Sequence, residues 1–292
     1  MQTFFRLLRG LALAVALSVT ISPPAMAGLP LPSLTFYGMF LDEFGWPYPG
    51  DDYVEVYAQG VKIATHTLIP AVGNEYNFLL RVPYDTGGKL DDYSPDVISP
   101  GDNVQIRLVD NGSGQPVIST NFICTLPAGS VVRFNARSGT DSLGDGLTDE
   151  LRQWIWSALG DGTPFSPSKV RATDDSDGDG VSNLDEFLAG TDPANAEDVL
   201  AVAISRTAYP GVTQLQFFAV PGKSYQVQTG TLTDQGVTWS TATFASSPDA
   251  AGTLTKAVGL GHYLSVFVSA ATEAQFFRVT VNVQPTGATV LP

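Results

Sequence analysis

Residues 175–186 read Asp-Ser-Asp-Gly-Asp-Gly-Val-Ser-Asn-Leu-Asp-Glu. Carboxylates stand at the first, third, fifth and twelfth positions, with no basic residue among them. Left alone these groups repel one another, and burial of one side by Leu184 and Phe187 makes the repulsion worse. A bound divalent cation removes the problem, whereas a solvated acidic turn leaves it unexplained. Calcium takes about six to eight oxygen ligands, and a twelve-residue loop supplies them with a glycine at the sharp turn. Counting Asp175 as position 1 puts Asp177 at 3, Asp179 at 5 and Gly180 at 6, with the Val181 carbonyl at 7, Asn183 at 9 and a bidentate Glu186 at 12. Asp175, Asp177, Asp179, Val181, Asn183 and Glu186 are therefore the expected ligands of Ca2+.

A second copy of the loop begins 34 residues earlier, at Asp141. Asp141, Asp145, Gly146 and Asp149 match positions 1, 5, 6 and 9, but Leu143 stands at position 3 and Arg152 at position 12. Arginine cannot ligate a cation and its charge opposes one. This degenerate copy, with Asp141, Asp145 and Asp149 as its candidate ligands, is expected to keep the loop's shape and to bind weakly or not at all. Leu147, Leu151, Trp154, Ile155, Ala158 and Leu159 follow at helical spacing and predict a helix of roughly three turns. Its expected partner is a short helix carrying Leu184, Phe187 and Leu188, and Trp154 and Trp156 are expected in the core or at a domain contact.

Residues 175–193, which close on Gly-Thr-Asp-Pro, resemble the thrombospondin type 3-like calcium repeat of secreted bacterial proteins. The resemblance implies one short helix over 183–189, stopped at Gly190 and blocked by Pro193. Two loop–helix units at this interval also resemble a dockerin, which docks onto a partner module. The Gly-Thr-Asp-Pro ending belongs to the first family.

Residues 1–27 read as a secretory signal peptide, with Arg6 and Arg9 ahead of a short apolar run and cleavage after Ala27 in Ala25-Met26-Ala27. That run falls short of the ~20 residues a membrane span needs. A secreted or cell-envelope location without a membrane span fits calcium, which is abundant outside cells. The chain of 292 residues has a net charge of −14, and residues 138–198 carry 14 acidic against 3 basic side chains. This balance argues against nucleic acid and anionic membrane as partners. The single cysteine, Cys124, rules out an internal disulfide and reads as a small buried hydrophobe.

On either side of the acidic segment the pattern has strand period. Residues 28–137 contain Val54-Glu55-Val56-Tyr57, Tyr76 to Val82 and Val104 to Leu108, with a turn at Asn111-Gly112-Ser113-Gly114. Leu34 to Gly38 and Glu43 to Pro47 resemble the start of the immunoglobulin-like modules that precede such repeats. Residues 199–284 contain Gln214 to Phe217, Tyr225 to Gln228, Leu264 to Val268 and Phe276 to Val281, and resemble the small sandwich that follows them. The expected fold is mainly β: two antiparallel β-sandwich domains, 28–137 and 199–284, joined by a small helical calcium-loop segment at 138–198, with a tail at 285–292.

No constellation of catalytic groups stands out. His66 and His262 are far apart in sequence and lack zinc spacing, and there is no nucleophile elbow, P-loop or dinucleotide fingerprint. The acidic loop 84–100, with Asp85, Asp91, Asp92 and Asp96, has no ligand spacing and reads as solvated. Trp46, Tyr48, Tyr53 and Tyr57 are either a sugar-binding face or half-buried strand aromatics. The expected function is that of a secreted, non-catalytic, calcium-binding surface or matrix protein. The alternative is an extracellular binding module, for a cell-surface glycan or for an envelope protein in dockerin fashion; a secreted hydrolase with scattered carboxylates ranks below both.

Overall fold

The computed structural model describes residues 33–85, 96–269, 276–282 and 286–290, the last three of these by backbone alone. The expected signal peptide, together with Asp91 and Asp92, lies outside the described residues.

The chain is mainly β. Alternating apolar residues build β1 (Ser33–Gly38), β2 (Phe40–Leu41), β3 (Tyr53–Ala58), β4 (Val61–Thr67), β5 (Phe78–Pro83), β6 (Asn103–Val109), β7 (Pro116–Ile123) and β8 (Val131–Arg137). One sheet holds β8, β1 and β5, with β2 beside β8; the other has the order β4-β3-β6-β7. Period 2 turns Leu34, Phe36, Val54, Val56, Phe78, Leu80, Ile106, Leu108, Val132 and Phe134 into one shared core, with Cys124 fully buried among them. The pairing is not wholly antiparallel, as β8 runs parallel to both β1 and β2 (Phe36↔Val132, Phe40↔Ala136). Alternation determines which face is buried. It says nothing of the direction of a neighbour that no hairpin connects.

Two helices follow. α1 (Asp149–Leu159) starts where the Thr148 hydroxyl accepts from the Leu151 N–H, and α2 (Asn183–Ala189) where Ser182 accepts from that of Asp185. Gly190, at φ 83°, ends α2 in the left-handed conformation glycine tolerates best. Leu147, Leu151, Ile155, Val170, Ala172 and Phe187 form a small core between them. The expected stripe on α1 is only partly buried: Leu151 and Ile155 face the small core, while Trp154, beside Ile155, and Leu159, at the helix end, are exposed.

The second strand-rich region contains β9 (Ala203–Arg206), β10 (Val212–Ala219), β11 (Ser224–Thr233), β12 (Gly236–Ala242), β13 (Ala257–Val258), β14 (His262–Ser269) and β15 (Phe276–Val281). The sheet β14-β10-β9 and the sheet centred on β11 bury Leu215, Phe217, Tyr225, Val227, Phe244, Val266 and Val268 together. β16 (Gly287–Val290) then returns to the first sheet and pairs antiparallel with β8 (Gly287↔Asn135, Val290↔Val132). Four residues are too few for a periodic signal, so the tail's sequence does not announce this strand.

From residue 33 onward the parts form one unit. Gly73 N–H donates to Gly259 O at 2.9 Å, and Lys256 pairs with Glu75. Phe187 of α2 is the shared contact. The Arg137 guanidinium lies 4.8 Å from its ring centroid and the Lys223 ammonium 6.0 Å from it, while Lys223 also donates to the Phe187 carbonyl at 3.4 Å. A Cβ on Gly45 would come within 2.9 Å of the same ring.

Candidate metal centre

Gly178 and Gly180 adopt φ of 83° and 97°, which lets residues 175–181 curl around their own carboxylates. The Gly178 N–H donates to Asp175 Oδ1 at 2.8 Å and the Gly180 N–H to Asp175 Oδ2 at 2.9 Å. Asp177 Oδ1 accepts from the Asp179 N–H at 3.2 Å, and Asp179 Oδ1 from the Val181 N–H at 2.7 Å. Asp175 thus accepts with both oxygens, while Asp177 and Asp179 each keep Oδ2 unpartnered. Asp175, Asp177 and Asp179 each place an oxygen within 4.8 Å of the others, and among the described residues no other group of three His, Cys, Asp or Glu side chains does so.

Asn183 and Glu186, the first and fourth residues of α2, both point inward. Asn183 is fully buried: its Oδ1 accepts from the Ser176 N–H at 3.2 Å and its Nδ2 donates to Arg171 O at 2.9 Å. Glu186 is 1% exposed, and neither of its carboxylate oxygens has a hydrogen-bond partner. Asp177 Oδ2 and Asp179 Oδ2 are likewise buried and unpartnered. Burial, and then the charges of Asp177, Asp179, Asp192 and Asp175, push the Glu186 carboxyl up to about 8. Glu186 stands outside that group of three. Buried polar atoms are nearly always satisfied, so the four orphaned carboxylate oxygens of Asp177, Asp179 and Glu186 are a donor set whose chemistry fits a hard divalent cation. Val181 enters as a backbone carbonyl in this scheme, and its side chain is exposed.

Asp192 was not among the expected ligands. It lies in the Gly-Thr-Asp-Pro ending, six residues past position 12, and its charge reaches Glu186 more strongly than that of Asp175 does. Replacing Asn183 by alanine removes two buried hydrogen bonds, which is expected to cost about 1–3 kcal/mol. Chemical denaturation of the metal-free protein measures that loss, since ligation then plays no part.

The Asp141 copy is arranged differently. Arg152 is fully buried, and its guanidinium bonds Asp145 Oδ1 and lies 3.5 Å from both Asp141 Oδ1 and Asp149 Oδ1. It also donates to Val170 O at 2.5 Å and to Leu147 O at 3.0 Å. Burial would raise the Asp145 carboxyl, but the Arg152 hydrogen bond and the N–H groups of Ala172 and Leu147 hold it below the usual carboxylate range.

The expected aromatics have separate surroundings, with Tyr53 half-buried at the start of β3. Tyr48 packs on the first core and donates to Ser138, while Tyr57 lies under Arg107 at 4.3 Å. Trp46 is exposed and joins Phe44 and Trp154 in an open groove of about 500 Å³, bounded by Phe187, Asp192 and Asp198. His66 and His262 stand on β4 and β14, in different sheets.

No protein-family model matches this chain, and no curated protein matches it.

Proposed function

We propose that this is a secreted, non-catalytic, calcium-binding protein of the thrombospondin type 3-like kind, in which the Asp175 loop binds Ca2+ and so fixes α2 between two β-sandwich modules. The supporting observation is the buried, unpartnered carboxylate of Glu186, which the negative charges of Asp177 and Asp179 reach. When bound, the cation supplies the positive charge these groups lack. The chain's own part is to hold the carboxylates ready: Gly178 and Gly180 bend the loop, Asn183 ties it to Arg171, and Phe187 seats α2 against both modules. A surface or matrix role rests on the export expected from residues 1–27.

Extracellular modules bind calcium with dissociation constants of about 10⁻⁴–10⁻³ M. At the tighter end, millimolar calcium adds about 1.4 kcal/mol of stability. Calorimetric titration is expected to give one calcium per chain in the wild type and none in Glu186→Gln. A wild type that takes up no calcium in the millimolar range overturns the proposal.

A second reading, an extracellular binding module, draws on the groove at Phe44, Trp46 and Trp154. Exposed aromatic faces suit sugar rings, so a glycan array is the appropriate screen, and binding lost in Trp46→Ala would favour this reading.

A further inference from the structure

The two loops share four hydrogen bonds at an offset of 34 residues. Asp141 accepts from Gly144 and Gly146, both at 2.8 Å, as Asp175 accepts from Gly178 and Gly180. Asp145 accepts from the Leu147 N–H at 3.3 Å, as Asp179 does from that of Val181. Asp149 accepts from the Ser142 N–H at 3.3 Å, as Asn183 does from that of Ser176. Gly146 and Gly180 share φ values of 94° and 97°, and Thr148 and Ser182 cap the two helices alike. The loops part company at position 12. There the buried side chain is Arg152 in one and Glu186 in the other; the first is surrounded by carboxylates, while the second has none of its oxygens satisfied.

We propose that Arg152 is the resident cation of the Asp141 loop, its guanidinium filling by covalent attachment the place that a metal ion fills in the Asp175 loop. The comparison rests on the calcium reading of the Asp175 loop. Charge supports it. The Asp141 loop brings three carboxylates to a singly charged guanidinium, and the Asp175 loop brings four to a divalent ion, so both retain the same net charge. Leucine at position 3 removes the carboxylate that a single positive charge cannot balance. The guanidinium's planar donors also suit several carboxylates at once.

The arrangement makes the two halves of the segment unequal. The Asp141 half carries its own cation, although Arg152 Nε meets Asp149 only as an ion pair and makes no hydrogen bond; it holds residues 170–172 through Arg152 to Val170 O and the Ala172 N–H to Asp145 Oδ2 at 3.1 Å. The opposite side of that stretch receives the other half, with Leu184 N–H donating to Ala172 O at 3.0 Å and Asn183 Nδ2 to Arg171 O. The arginine-filled loop is thus the metal-independent template against which the calcium-dependent loop is built.

Amide hydrogen exchange on the full chain tests this, with and without chelator. In the wild type, Gly144 and Gly146 should keep their protection within about twofold on chelation, while Gly178 and Gly180 lose about tenfold or more. Arg152→Gln should expose Gly144 and Gly146 in either condition, and Arg152→Lys should restore part of the protection. Chelator-sensitive protection of Gly144 and Gly146 in the wild type overturns the proposal. If the Asp175 loop binds no calcium, chelator leaves Gly178 unchanged while Arg152→Gln still exposes Gly144, so the two failures are distinguishable. A calcium titration adds a gain of function: Arg152→Glu on the Glu186→Gln background, which restores a carboxylate at position 12 of the first loop, should regain one bound calcium. A well-folded double variant that binds none counts against the inference.

Discussion

Phe187→Ala is expected to destabilise the protein by about 3–5 kcal/mol, the usual range for deleting a buried aromatic ring. The ring belongs to the core of the helical segment and touches groups from both strand-rich regions, Gly45 and Arg137 on one side and Lys223 on the other. Gly45 and the two cations offer no apolar side chain to fill the space on their side, while Leu151 and its neighbours line the other. In a unit of this size the change lowers the melting temperature by roughly 10 °C. Phe187→Leu keeps most of the volume and should recover more than half of the loss. A melting temperature within 2 °C or so of wild type in Phe187→Ala would remove Phe187 from its place at the centre of the assembly.

Calcium affinity is expected to climb steeply with pH. The Glu186 carboxyl, raised from 4.5 to about 8, must release its proton before it can ligate. With one competing proton the apparent dissociation constant falls by at most about tenfold per pH unit, and by roughly fiftyfold between pH 6 and pH 8. Metal-free stability moves the opposite way. The folded state holds a proton that the unfolded chain has already lost above 4.5, so stability declines as pH rises from there toward about 8. Excess calcium takes the proton's place and flattens that decline. Titrations at several pH values, paired with thermal melts in chelator, measure both slopes. An affinity that stays flat from pH 6 to pH 8 would falsify the role given to Glu186.

What could be read from sequence divides according to range. The ligand pattern of the Asp175 loop lies within twelve consecutive residues, so spacing alone displays it. The same holds for α2, which the resemblance put at 183–189 with Gly190 as its stop. Strand period likewise marked β3 and β6, where Val54, Val56, Val104, Ile106 and Leu108 are buried. Long-range features left no such mark. Nothing in Val131 to Arg137 says that β8 runs parallel to β1, and Gly287 to Val290 are too few to declare a strand. Arg152 was legible only as a charge in the wrong place. Its meaning depends on Asp141, Asp145 and Asp149 converging on it, although aligning the two copies does set Arg152 opposite Glu186. Trp154 stands at the edge of the helical stripe, beside the buried Ile155, and period alone does not set how wide a strip the small core covers.

The return of β16 decides how the molecule would bear tension. Phe36 and Val290 lie on opposite sides of Val132, so residues 33 and 290 leave the sheet at the same end of β8. A pull between those two points peels β16 from β8 one hydrogen bond at a time, at low force. The acidic loops and the second pair of sheets hang outside that line as a closed excursion, mechanically silent until the last strand has come away.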